Sequence, residues 1–114
     1  MNDLSVVQQR LQALGTQFLE RTVRELATLR ELIGRVDAAD ASALEELRHL
    51  SHRMHGTGAT LGFEAISRYA GEIEHLCETR GVTVSELMEN AAKLEGEVGE
   101  LAKTRGLQAA RPAS

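Results

Sequence analysis

His49, His52 and His55 recur every third residue within the segment Leu47-Arg48-His49-Leu50-Ser51-His52-Arg53-Met54-His55-Gly56-Thr57-Gly58-Ala59-Thr60-Leu61-Gly62. An imidazole can ligate a metal, move a proton or act as a nucleophile near neutral pH, where a large share of it is unprotonated. As a nucleophile it is a competent acceptor of a phosphoryl group. The phosphorylated ring would need room and nearby positive or hydrogen-bonding groups, for which Arg48, Arg53 and His55 are the candidates. Gly56 and Gly58 lie where the apolar spacing demands a helix, and each glycine there costs about 1 kcal/mol relative to alanine. Both features depart from an ordinary amphipathic helix.

Helical geometry sorts these residues, because each successive residue turns the direction by about 100°. With His52 as zero, Leu47, Leu50, Met54 and Leu61 fall within about 40° of the opposite side. That side is the core, so His52 faces away from it. Glu45, Arg48, Gly56 and Ala59 lie near its own direction, and Gly56 and Ala59 leave a low ledge where another protein can approach. His49 and His55 flank His52 at about 60° to either side.

A metal centre is the competing chemistry. The outer two histidines diverge by about 120°, however, and one helix cannot aim all three at a single ion without distortion. Glu46 with His49, and Glu72 with His75, have the Glu-x-x-His spacing of bundle metal sites. Those sites need inward ligands, whereas Glu46 lies at the margin of the core face and His49 outside it. The expectation is therefore no metal.

The elements that must hold this segment follow from apolar spacing. Leu4, Val7, Leu11 and Leu14 form a short first stripe that ends at Gly15. Phe18, Val23, Leu26, Leu29, Ile33 and Val36 mark a long second helix that stops at Asp37-Ala38-Ala39-Asp40, with Asp40 placed to cap the next one. Leu44, Leu47, Leu50, Met54 and Leu61 belong to a third helix. A fourth carries Ile66, Tyr69, Ala70, Ile73, Leu76 and Cys77 and ends at Gly81. Thr83 or Ser85 starts the last, whose seam of Val84, Leu87, Ala91, Leu94, Val98 and Leu101 repeats at three–four spacing.

Short connections between long amphipathic helices make neighbours antiparallel. The expected fold is all-α: an up-down-up-down four-helix bundle with a short extra N-terminal helix. Residues 1–105 form the bundle and 106–114 a flexible tail.

Composition agrees. The chain has 114 residues, one proline (Pro112), no tryptophan and a net charge of −4. It lacks the basic stripe and the aromatics that nucleic acid would require. No stretch is long and apolar enough to span a membrane, and no secretory signal opens the chain. The lone Cys77 cannot form an internal disulfide, which suits a cytoplasmic location. Cys77 and Tyr69 read as packing residues, and the seam of the last helix as core of a monomer rather than a dimer zipper.

His52-Arg53-Met54-His55-Gly56, followed by Leu61-Gly62, resembles the signature of the histidine phosphotransfer (HPt) family. That signature is a histidine, any residue, an apolar residue, usually lysine, then glycine, with a second glycine six residues later. The upstream apolar spacing and the Ile73-Glu74 pair are also similar, over about residues 15 to 103. The resemblance implies a four-helix bundle whose exposed histidine relays phosphate between receiver-domain aspartates. His52 would be the phosphorylated residue and Met54 a core anchor behind it. Gly56 would give clearance, and Gly62 a turn or close packing near the next helix. The domain would be a phosphocarrier and not an enzyme, with no cofactor of its own. Its partners would be response-regulator receivers, which supply Mg2+, and a hybrid histidine kinase. His55 departs from the usual lysine, so its help with phosphate charge would depend on pH.

The short chain, beginning at Met1, favours a free-standing relay protein over the phosphoacceptor segment of a larger histidine kinase. A metal-binding bundle and a purely structural adaptor are the alternatives from other classes.

Overall fold

The computed structural model describes residues 3–107, and every regular element among them is helical: α1 (Asp3–Asp37), α2 (Ala43–Thr60), α3 (Glu64–Glu78) and α4 (Val84–Thr104). The helices form a ring in which α1 and α3 each touch both α2 and α4. One core fills it, built from Leu19, Leu29 and Ile33 of α1, Leu47 and Met54 of α2, Ile66 and Ile73 of α3, and Leu87, Leu94 and Val98 of α4. All of these are essentially inaccessible to solvent. Cys77 joins this core, and burial pushes its thiol up to about 12, so it is an inert packing group. Among the described residues no helix is long and apolar enough to cross a membrane.

The start of the chain corrects the expectation of a separate leading helix. α1 is one helix of 35 residues that runs through Gly15 without a break. At 1.5 Å per residue it extends about 52 Å, close to the 57 Å long dimension of the molecule. Gly15 is a packing residue, not a stop. A Cβ there would meet Arg105 Nη1 at 3.1 Å and Phe63 Cζ at 3.3 Å. One glycine's cost is small against the cooperativity of the helix on either side. The stripe expected to face inward, Leu4, Val7, Leu11 and Leu14, is instead 49–59% exposed. One turn later the helix enters the core at Phe18, whose ring stacks on Phe63 with centroids 5.4 Å apart.

Three helices end alike. In α2, the amide of Phe63 donates to Gly58 O (2.8 Å) and that of Gly62 to Ala59 O (3.3 Å), with Gly62 at φ +84°. This is the Schellman closure, which satisfies the last carbonyls and needs a left-handed residue. In α4, Leu107 N donates to Ala102 O and Gly106 N to Lys103 O, with Gly106 at φ +72°. Gly106 and Leu107, expected to open the flexible tail, therefore close α4, and Leu107 packs against the core. Residues 108–114 of that expected tail lie outside the described residues.

The same closure ends α1, where Asp40 N donates to Arg35 O (2.9 Å) and Ala39 N to Val36 O (3.0 Å). Here the left-handed position is Ala39, at φ +62°. Asp40 ties the joint to α2, although α2 itself begins at Ala43. Its carboxylate accepts from Arg35 Nε (2.8 Å) and from the amide of Ser42 (3.0 Å). Those bonds, Arg35 first, hold the Asp40 carboxyl down at about 2. Its value is lowered on folding, so this contribution is complete above its ordinary 3.8 and is lost as pH falls through about 2. α4 starts with a reciprocal cap: Thr83 Oγ1 accepts from Glu86 N, and the Glu86 carboxylate accepts from Thr83 N.

A left-handed residue with a Cβ is strained by roughly 1–2 kcal/mol, partly offset by the greater chain entropy that glycine loses on folding. Ala39→Gly should therefore stabilise the protein by about 1 kcal/mol, read as a higher thermal midpoint. A lower midpoint would show that Ala39 sits there without strain.

Candidate functional site

α2 presents two unlike sides. Leu47, Leu50, Ser51, Met54 and Gly58 are buried, whereas His52, Arg53, Gly56 and Ala59 are exposed. Met54, behind the site, is 1% accessible. The His52 side chain is 65% exposed and its Nδ1 lies 2.6 Å from Oε2 of Glu74 on α3. Glu74 is itself mostly covered, at 16%. An ionised carboxylate can only accept, so Nδ1 carries the proton that it donates to Glu74. In the neutral ring the lone pair is then on Nε2, at the far side of the ring from α3.

Glu74 can reach His52 because α2 and α3 approach closely. A Cβ on Gly58 would meet the backbone nitrogen of Ser67 at 3.3 Å. On α3, a Cβ on Gly71 would meet the His55 ring at 2.9 Å. His55 is half-buried in this contact, and its Nδ1 donates to the carbonyl of Ser67 (2.8 Å). The Ser67 hydroxyl in turn donates to His55 O (2.9 Å). Of the residues expected around the phosphate, His55 is therefore directed to α3 and serves the helix interface.

Arg48 stays on the His52 side but is already engaged. Its Nε and Nη2 both donate to Glu45, at 3.2 and 2.7 Å, which raises its pKa above the ordinary arginine value and lowers that of Glu45. His49 Nε2 lies 3.0 Å from the same Glu45. The three histidines thus turn to three separate partners, Glu45, Glu74 and Ser67. Among the described residues no group of His, Cys, Asp and Glu is placed to hold a metal ion. In the expected Glu-x-x-His pair, Glu46 is bound to Arg35 at 2.7 Å.

Gly56 has nothing within 4 Å of where a Cβ would stand, so the ledge beside His52 is open. Ala59 is exposed one turn further on. Gly62 is equally open around its missing side chain, and its positive φ makes it the turn residue of the two alternatives. An open cleft of about 780 Å3 runs past His52 and Gly56 to Arg21 and Arg24 of α1.

A family model for the Hpt domain matches residues 13–104. The chain belongs to the Hpt domain family. Among curated proteins and among solved structures, none matches the chain. Hpt domains are phosphocarriers that act with receiver domains in phosphorelays. The match begins inside α1 and takes in the rest of the bundle, leaving Leu4, Val7 and Leu11 before it.

Glu74 is the residue that the sequence reading left without a role. Its signal was the Ile73-Glu74 pair that resembles the HPt family, which does not reveal the register of α3 against α2. The two α2 glycines also separate in kind. Gly56→Ala should raise stability by about 0.5–1 kcal/mol through helix propensity alone. Gly58→Ala should lower it by about 1–3 kcal/mol by forcing α3 away. Denaturant titration of the two variants checks this; similar stabilities would refute the close-approach role of Gly58.

Proposed function

We propose that this Hpt domain carries a phosphoryl group on Nε2 of His52, accepting it from the aspartyl phosphate of one receiver domain and passing it to the aspartate of another. The observation that supports this most is the His52–Glu74 pair: an exposed ring with one nitrogen tied and protonated, the other free. In the forward step the Nε2 lone pair attacks phosphorus in line, the new N–P bond forms, and the P–O bond to the receiver carboxylate breaks. The electron pair leaves with that carboxylate. Nδ1 keeps its proton, so the phosphorylated ring gains positive charge beside the Glu74 carboxylate. Glu74 is thus a positioning residue that favours the tautomer and the charge of the product, as an acidic partner does for a nucleophile-activating histidine.

Mg2+ and the groups that neutralise the transferring phosphoryl belong, in this reading, to the receiver. Gly56 and Ala59 form the ledge on which the receiver rests. An upstream hybrid kinase would load the first receiver. We read the consecutive helices as antiparallel across the short joints 38–42, 61–63 and 79–83, and the domain as a cytoplasmic monomer.

Incubation with a phosphorylated receiver and Mg2+ should label the protein through an acid-labile, alkali-stable bond. His52→Gln should abolish labelling with helicity intact, and labelling that survives would refute the assignment. Glu74→Ala should slow transfer about tenfold or more, with Glu74→Gln intermediate because its amide oxygen still accepts from Nδ1–H. Gly56→Leu should keep or raise helix content yet slow transfer from the receiver by filling the ledge.

A further inference from the structure

A phosphoryl group on Nε2 carries close to two negative charges at neutral pH, and of the three groups expected to meet it, Arg48, Arg53 and His55, two are occupied elsewhere. Arg48 is bound twice to Glu45, and His55 is turned to Ser67. We propose that Arg21 and Arg24 of α1, together with Arg53 of α2, form an anion subsite that holds the phosphoryl group of phosphorylated His52; this rests on the reading of His52 given above.

The placement carries the proposal. The cleft is lined by His52, Arg53 and Gly56 on one side and by Gln17, Arg21 and Arg24 on the other. Every ionisable residue lining it, apart from His52, is an arginine, and no carboxylate lines it. Arg21 and Arg24 are three residues apart and so share one face of α1. Glu74 holds Nδ1 toward α3, which sends Nε2 away from α3, and α1 is the other helix flanking α2.

The three arginines are also loosely held. Arg21 Nε is 3.9 Å and Arg53 Nη2 is 3.6 Å from Glu25, both beyond hydrogen-bond length. Arg24 makes no hydrogen bond or ion pair among the described residues. Arg30, Arg35 and Arg48, by contrast, each hold a carboxylate at 2.5–2.7 Å. With one carboxylate, Glu25, shared loosely between two of the three cations, the cleft keeps an excess of positive charge until an anion arrives. The subsite is therefore complementary to the phosphorylated form and indifferent to free His52, as a carrier's product site should be.

Phosphoramidate, a small phosphodonor, loads an exposed imidazole without any receiver. The full chain so loaded is titrated by 31P NMR, following the second ionisation of the phosphoryl group. Nearby arginines favour its dianion. The double variant R21Q/R24Q should raise the midpoint by about half a pH unit, roughly a threefold change in that equilibrium. The R21K/R24K variant should restore most of it, and 1 M salt should shrink the difference. Equal midpoints in the wild-type and glutamine proteins would overturn the subsite. So would a shift that lysine fails to reverse, which would mark a structural effect. In a second arm, the wild-type protein is equilibrated with phosphorylated receivers and Mg2+. No transfer from any receiver, with the NMR difference intact, would sink the relay reading and leave the subsite standing.

Discussion

The approach of α2 to α3 is the constraint from which the site follows. Gly58 lets the backbone of α3 come closer to α2 than a side chain there would comfortably allow, and Gly71 makes room for the His55 ring. His55 and Ser67 then lock the two helices by reciprocal bonds between side chain and backbone. Only at this separation does the short Glu74 side chain reach Nδ1 of His52 at 2.6 Å. A pair of ordinary side chains at 58 and 71 would spread the helices and leave the histidine free to rotate. The chemistry of the exposed ring is therefore prepared on the buried side of the same helix.

That arrangement sorts charge around a single imidazole. The carboxylate sits on the α3 side, where the ring would become positive if its other nitrogen bonds phosphorus as proposed. Arg21 and Arg24 sit on the α1 side, where the proposed phosphoryl group would be negative. The arginines are exposed, so their contribution is modest and salt-sensitive, whereas the Glu74 carboxylate is mostly covered and less screened. A carrier benefits from that moderation, because a group held too tightly would not be handed on.

Much of this was readable from residue spacing. The large fully buried residues of α2, α3 and α4 are among those that the helical period selects, and Leu47, Leu50 and Met54 together put His52 outside the core. Leu44, Leu61, Tyr69, Leu76, Val84 and Leu101 of the same stripes are only partly buried. Reading failed where a second helix decides. Gly15 looks like a stop, but its bareness answers Phe63 and Arg105, which are far along the chain. His55 looks like a neighbour of the phosphate when one helix is considered alone, yet its partners are Ser67 and Gly71. Glu74, Arg21 and Arg24 could not be assigned from α2 at all. Helical periodicity gives the direction of a side chain from its own axis and is silent about the register of the next helix. The Gly106–Leu107 closure was missed for a simpler reason: glycine near a chain end reads as loose, although the left-handed turn it permits is an ordered stop.

The bare surface at Gly56 has a consequence for selectivity. An enclosed pocket rejects wrong partners by shape at the reacting atom, but nothing stands over this residue to reject anything. For a receiver docked over Gly56 as proposed, discrimination between one partner and another would come from attraction summed along the surrounding rim, where single substitutions shift preferences by degrees. Such a domain can change its allegiances gradually while the atom that reacts stays as it is.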